Sequence, residues 1–100
     1  MVEFIGLPRL NEGQLATICS EIDNETRNYI FSYISKKDVI DLNVEIEADQ
    51  NDILNLTIDI SLEVSPFVSL DIDKLTEEAL DFAFKIAERK LKNLAEKVRK

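Results

Sequence analysis

The sequence predicts an α+β fold, a two-layer sandwich in which an antiparallel sheet is covered on one face by two helices. Two segments with strictly alternating apolar and polar residues predict a long β-hairpin, and segments with helical periodicity lie before and after it. The expected order is strand, helix, strand, strand, helix. Because a sheet with one apolar face needs a covering layer, both helices are expected on that face. The length of 100 residues fits a single domain, residues 1–100.

The first two elements are predicted by local signals. Residues 2–7 are β-prone and precede Pro8, which indicates a short first strand. Residues 11–35 carry apolar residues at helical spacing and predict the first helix. Asn11 is expected to cap this helix, and Gln14, three residues further on, completes the capping-box pattern.

The hairpin has the clearest pattern in the chain. Starting with Ile40, even-numbered positions are apolar between 40 and 48 and again between 54 and 64, whereas the odd-numbered positions are mainly polar. Successive side chains of a strand point to opposite faces, so the even-numbered residues are expected to face the helices. Residues 49–52, Asp-Gln-Asn-Asp, favour a turn and are few enough to impose antiparallel pairing.

The last helix is predicted to begin at a cap, either Asp71 or Asp73, and to run almost to the C-terminus. Its apolar residues form two stripes. The first stripe contains Ile72, Leu75, Ala79, Phe82 and Ile86. The second stripe contains Leu80, Phe84, Ala87, Leu91, Leu94 and Val98. Since Phe82 and Phe84 lie roughly 160° apart around the helix, one flat sheet cannot cover both stripes. We expect the first stripe on the sheet and the second against either the first helix or another subunit.

A partner interface is therefore predicted from apolar residues that the sheet leaves uncovered. It consists of Phe31, Leu80, Phe84, Leu91, Leu94 and Val98. Phe31 belongs to it because it lies roughly 100° or more from most of the apolar arc of the first helix. Two long strands beside a short one also leave a sheet edge without a partner strand. These features favour a homodimer or a heterodimer with another protein.

Charge is distributed unevenly along the chain. The net charge is −8, yet residues 85–100 hold seven basic and two acidic residues, a net +5. The overall acidity disfavours direct RNA binding, so RNA contact is expected only through a complex. The basic end is either a solvated helix terminus or a contact for RNA or an acidic partner. The residues concerned are Arg89, Lys90, Lys92, Lys97, Arg99 and Lys100.

Residue types that carry catalysis are largely missing. The absence of histidine excludes Ser-His, Cys-His and His-metal arrangements. Cys19 lies on the apolar arc of the first helix and is expected in the core rather than as a reactive thiol. The carboxylates of the long strands are expected to be solvated rather than to hold a cation. These carboxylates are Asp41, Glu45, Glu47, Asp59 and Glu63. We expect no enzyme activity, no cofactor, no metal and no small-molecule substrate.

Neither secretion nor a membrane-spanning segment is expected from the sequence. No apolar run approaches the roughly 18 residues of a membrane-spanning helix. The segment MVEFIGLPRL lacks the basic start and long apolar stretch of a signal peptide. A cytoplasmic location without membrane attachment is therefore expected.

Several segments resemble a small archaeal family with no assigned function. They are Gly6-Leu7-Pro8, Tyr29-Ile30-Phe31-Ser32, Lys36-Lys37-Asp38-Val39, Leu62-Glu63-Val64-Ser65-Pro66-Phe67 and Glu88-Arg89-Lys90-Leu91. None of these segments is a catalytic signature. The resemblance therefore implies a fold and a lineage rather than an activity.

The element order is also similar to that of the small dimerising subunit of the KEOPS complex, which makes the threonylcarbamoyladenosine modification of tRNA. Leu7-Pro8 and Asn11-Glu12 match that family's proline and acid-containing helix start, whereas the first helix and the hairpin are longer here. This likeness implies a non-catalytic accessory or paralogous subunit that dimerises and packs against a catalytic subunit. The alternative is a chaperone-like holdase, since a hairpin flanked by helices is loosely like a prefoldin β subunit.

Overall fold

The predicted α+β fold is confirmed. The computed structural model describes residues 2–5, 11–50 and 54–98, with side chains at 11–49 and 54–93. The strands are β1 (Val2–Ile5), β2 (Val39–Gln50) and β3 (Leu54–Val64), and the helices are α1 (Glu12–Phe31) and α2 (Ile72–Val98), with a short 3-10 helix at Lys36–Asp38. The first strand is thus confirmed over residues 2–5, while positions 6 and 7 of the prediction lie outside the described residues.

The three strands form an antiparallel sheet in the order β1-β3-β2, so β3 is central. Val44 lies opposite Ile60 and Ile46 opposite Ile58, which places apolar residues together on one face. Ile58 is completely buried beneath the helices. The alternation of the hairpin is therefore confirmed over most of its length.

Ile40 departs from this alternation. It was expected on the helix side of the sheet, but it is 62% exposed. The strand pairing shifts between Val39 and Asp41, because Val39 lies opposite Val64 and Asp41 opposite Glu63. This leaves Ile40 as the extra residue of a β-bulge, and Val39 packs against the core in its place.

The cap of α1 is confirmed and its end is corrected. Asn11 Oδ1 accepts from the Gln14 backbone N–H at 2.7 Å, and the Asn11 backbone N–H donates to Gln14 Oε1 at 3.0 Å. The helix ends at Phe31, four residues before the predicted end at residue 35. There the Ser32 hydroxyl donates to the Tyr29 carbonyl at 2.6 Å, which satisfies a carbonyl group of the last turn.

Asp71 rather than Asp73 provides the cap of α2, since its Oδ1 accepts from the Lys74 backbone N–H at 3.1 Å. Three alanines spaced four residues apart, Ala79, Ala83 and Ala87, are completely buried along this helix. Small side chains allow close approach of neighbouring elements, so this row marks the centre of the packed side of α2.

Replacing Ile58 by aspartate should unfold the domain. The change places a carboxylate without a partner in a fully buried site, which normally costs several kcal/mol. The matched control is Ser61→Asp, which adds the same charge on the exposed face of β3 and should cost less than about 1 kcal/mol. Urea unfolding measures both changes, and equal losses would show that the strand faces are assigned incorrectly.

Candidate interaction surfaces

Helix α2 lies in the corner between α1 and the sheet, which accounts for its wide apolar surface. Phe82 stacks on Tyr29 of α1, with ring centroids 4.4 Å apart. The first stripe contacts the sheet as well as α1, since Leu75 and Ala79 share one cluster with residues of α1, β2 and β3. Members of the second stripe likewise share a cluster with residues of α1 and β3. Each stripe thus packs against both neighbours of the helix, and periodicity alone cannot assign one stripe to each.

Two residues of the predicted partner interface belong to the core of the chain itself. Phe84 is 8% exposed and Leu91 is 1% exposed, and both pack in one cluster with Ile18 and Ile22 of α1. In the folded chain these two side chains are therefore too buried to contact a partner. The second apolar stripe is thus explained by internal packing at these two positions.

The other members of the predicted interface have different surroundings. Leu80 is half-buried and packs against the same cluster. Phe31 is half-buried at the end of α1, where the Lys36 ammonium lies 5.4 Å from the centre of its ring. The side chains of Leu94 and Val98 lie outside the described ones.

Lys90, one of the predicted RNA contacts, joins the two helices. Its ammonium lies 3.0 Å from Glu21 Oε2 and 3.2 Å from Glu25 Oε2, both on α1. The hydrogen bond with Glu21, supported by Glu25, raises the pKa of Lys90 despite the opposing effect of desolvation. An ammonium placed between two carboxylates stabilises the packing of α2 on α1, which gives Lys90 a structural role. Its contact with RNA or an acidic partner stays a prediction.

Of the remaining predicted contact residues, Arg89 and Lys92 lie on the exposed side of α2. Lys92 pairs with Glu88 at 3.4 Å, as the spacing of four residues allows, and Arg89 is exposed beside them. The side chain of Lys97 and the whole of Arg99 and Lys100 lie outside the described residues. Among the predicted contact residues, Arg89 and Lys92 are therefore the ones with described side chains that an anionic partner could reach.

The structure shows the surroundings of the strand carboxylates and of Cys19. Asp41, Glu45, Glu47, Asp59 and Glu63 are all exposed on the outer face of the sheet, as expected. Across the described residues, no three His, Cys, Asp or Glu side chains converge closely enough to hold a metal ion. Cys19 is only half-buried, and burial raises the pKa of its thiol.

A surface that the sequence reasoning missed lies where α1 and β3 end. Among the described residues, the large apolar side chains that remain exposed are Tyr33, Ile40, Phe67 and Leu70. We name this group the apolar end. The Ser65 backbone N–H donates to the Asp38 carbonyl at 2.8 Å, which fixes the connection after β3 against the segment that leads into β2.

Three members of the apolar end, Tyr33, Phe67 and Leu70, line an open groove together with polar side chains. The volume of this groove is about 300 Å³. Phe67 is the most exposed of these side chains, at 94%. Tyr33 is held in place from the core side by Tyr29, whose ring centre lies 5.1 Å away. Phe67 and Leu70 lie in a connecting segment where neither helical nor strand periodicity applies, and large apolar residues in such a segment were the available signal.

Truncating Leu91 should destabilise the isolated chain. Leu91→Ala leaves a cavity in the core, which typically costs about 2–5 kcal/mol. Lys85→Ala, an exposed change on the same helix, should stay within about 0.5 kcal/mol. Chemical unfolding with light scattering measures stability and association together. Unchanged stability with a loss of association in the Leu91 variant would restore the interface interpretation.

Replacing Lys90 by methionine should lower the free energy of unfolding at neutral pH by up to about 1 kcal/mol. Because the pKa of Lys90 is raised in the folded state, its contribution is complete below its unfolded pKa and is lost as the pH rises through the folded value. The difference between wild type and variant should therefore shrink in strongly alkaline solution. Lys92→Met removes a more exposed charge and should have a smaller effect. Equal effects at both positions would contradict the bridging role.

Comparison with known proteins shows that the chain is similar to uncharacterised archaeal proteins. It is 36% identical over 91 residues to an uncharacterised protein of Pyrococcus horikoshii, covering 91% of this chain and 78% of that protein. A second uncharacterised protein, from Pyrococcus furiosus, is 34% identical over 91 residues, with 91% and 82% covered. These relatives confirm the resemblance to an archaeal family and give no support to the KEOPS likeness.

Two solved structures share the fold. A crystal structure from Thermococcus onnurineus NA1 is similar with a TM-score of 0.80 and 37% identity, covering 97% of this chain and 94% of that one. The solution structure of a hypothetical protein from Methanothermobacter thermautotrophicus is similar with a TM-score of 0.77 and 26% identity, covering 89% and 97%. A family model also matches residues 7–90. The chain therefore belongs to the family described as Protein of unknown function (DUF3194).

Proposed function

We propose that this chain is a non-catalytic interaction subunit that binds a protein partner, or a second copy of itself, through the apolar end. The observation that carries the proposal is the exposure of Tyr33, Ile40, Phe67 and Leu70 at one end of the sandwich. Exposed apolar residues are ordinary when they are scattered, whereas a group around a groove is typical of a binding surface.

The energetics of Phe67 support this proposal. Burying a large apolar side chain that is otherwise exposed contributes roughly 1.5–3 kcal/mol. Phe67 is 94% exposed, so almost all of that contribution remains available for binding. An aromatic residue beside a groove is also the usual anchor of a protein interface. Leu70 and Tyr33 line the same groove, together with polar side chains.

The non-catalytic part of the proposal rests on the residue types in the chain. With no histidine among 100 residues, the common nucleophile-base pairs cannot be built. The exposed carboxylates project from an open sheet face, where water competes with any substrate. Binding to a macromolecule is the role that such an open surface suits best.

A narrower form of the proposal makes the chain an accessory or paralogous small subunit of a KEOPS-like tRNA-modifying assembly. It is supported by the β-α-β-β-α order of the elements. Order alone is shared by many small α+β domains, so the partner must be identified directly. In this form, RNA is contacted only through the assembled complex, and the cell compartment is the cytoplasm. Neither helix, within its described residues, has an apolar stretch long enough to cross a bilayer.

The double change Phe67→Ser and Leu70→Ser should abolish association while changing the free energy of unfolding by less than about 1 kcal/mol, because both side chains are exposed. Affinity purification from an archaeal lysate, with light scattering of the purified chain, measures association. The matched control is Ser35→Ala with Ser69→Ala, which alters polar residues of the same groove.

The outcome of this experiment separates the alternatives. Recovery of a KEOPS catalytic subunit by the wild type and not by the double variant would support the narrower form. Equal recovery by both proteins, or a strict monomer without a partner, would contradict the apolar end as the interface. Suppression of client aggregation by the purified chain, lost in the double variant, would favour the holdase alternative.

A further inference from the structure

We propose that the free edge of β2 binds an extended segment of a partner protein that is rich in lysine or arginine, by addition of a strand to the sheet. This inference concerns a different surface from the apolar end and names the chemistry of its ligand. The two proposals can therefore fail independently.

The first argument is the position of β2 in the sheet. Strand β2 is outermost in the order β1-β3-β2, and among the described strands only β3 pairs with it. Its other edge thus presents backbone N–H and C=O groups that a further strand can bind. With 12 residues, β2 is long enough to form several pairs of backbone hydrogen bonds with an extended peptide.

Natural edge strands are usually protected, and the protection of β2 rests on its acidic side chains. Common devices are charged side chains, lysine above all, together with proline, bulges and very short strands. The sequence of Val39–Gln50 contains neither lysine nor proline, and its bulge lies at the very start of the strand, at Ile40. The rest of the edge remains regular as far as Gln50.

The second argument is charge. The outer face of β2 carries Asp41, Glu45, Glu47 and Asp49, all exposed. Asp41 lies directly opposite Glu63 of β3, so two carboxylates face each other across the ladder. Like charges in this position destabilise a sheet, and cations from a neighbouring strand would relieve the repulsion.

The two long strands cannot supply those cations themselves. Between positions 38 and 73 the sequence has ten acidic residues and no lysine or arginine. Within this stretch the described hydrogen bond to Glu45 comes from the neutral amide of Asn43, at 3.1 Å. Among the described residues this neutral donor leaves the charge of Glu45 uncompensated, so a partner strand with basic side chains would add a favourable interaction.

Charge also decides against other occupants of the edge. A second copy pairing through its own β2, with the helix-covered faces aligned, would place acidic outer residues opposite acidic outer residues. Phosphate groups of RNA would be repelled in the same way. A partner strand with basic residues on its outer face and apolar residues on its inner face can pair with the backbone groups of β2. Its basic side chains would also balance the negative charge of the carboxylates on β2.

The test uses the isotope-labelled full chain and a synthetic peptide that alternates lysine with valine or threonine. We expect saturable binding that weakens at high salt, with amide shifts and exchange protection concentrated along β2. A peptide with glutamate in place of lysine should not bind. Methylation of the peptide backbone nitrogens should abolish binding in one alternating frame and leave it in the other, because only one set of N–H groups faces β2.

The protein variants test the charge contribution. Glu45→Gln with Glu47→Gln should weaken binding of the lysine peptide about tenfold. Glu77→Gln with Glu78→Gln makes the same charge change on exposed positions of α2 and should leave the affinity unchanged. No binding, equal loss in both variants, or shifts on the sheet face without protection along β2 would each overturn the proposal.

Discussion

In the β2–β3 hairpin each residue has a fixed partner from Asp41 opposite Glu63 to Gln50 opposite Leu54, and this register determines the two faces of the sheet. One face gathers the even-numbered apolar residues, including Leu56 and Ile58, which are 1% and 0% exposed. A shift by one residue would exchange the faces and expose the whole core. The positions of the helices and of the acidic outer surface both follow from this pairing.

The packing of α2 explains how so small a protein buries a helix on two sides. The small side chains of Ala79, Ala83 and Ala87 allow the helix to pack closely against both α1 and the sheet. Phe82 then reaches Tyr29 on one side, while Lys90 bridges to Glu21 further along the same pair of helices. At the positions whose side chains are described, the apolar width that suggests a missing subunit is used within one chain.

Much of this architecture could be predicted because it depends on local chemistry. The alternation of the hairpin and the capping box of Asn11 and Gln14 each reflect interactions within one or two elements. The bulge at Ile40 could not be foreseen, because Val39 and Ile40 are both apolar and the sequence fits either residue facing the core. The early end of α1 had a similar cause, since Tyr33 fits the helical period and yet lies beyond the last helical residue, 54% exposed.

The candidate surfaces were harder to predict, because exposure depends on which elements become neighbours. Phe84 and Phe67 are chemically identical, yet one is 8% exposed and the other 94%. The difference arises because Phe84 lies on a helix beside two apolar layers, whereas Phe67 lies on a connection that neither layer covers. From hydrophobicity along the sequence, Phe84 was predicted to be an uncovered interface residue, and Phe67 was not predicted to be one.

The acidic outer face gives the exposed β2 edge a selectivity that a neutral edge would lack. An unprotected edge strand normally carries a risk of pairing with further copies of the same chain. On β2 that pairing would oppose carboxylates such as Glu45 and Glu47, so self-association through this edge is disfavoured by charge. The same carboxylates attract a basic strand. One set of side chains therefore discriminates against the wrong partner and favours the right one, without any change in the backbone that both would use.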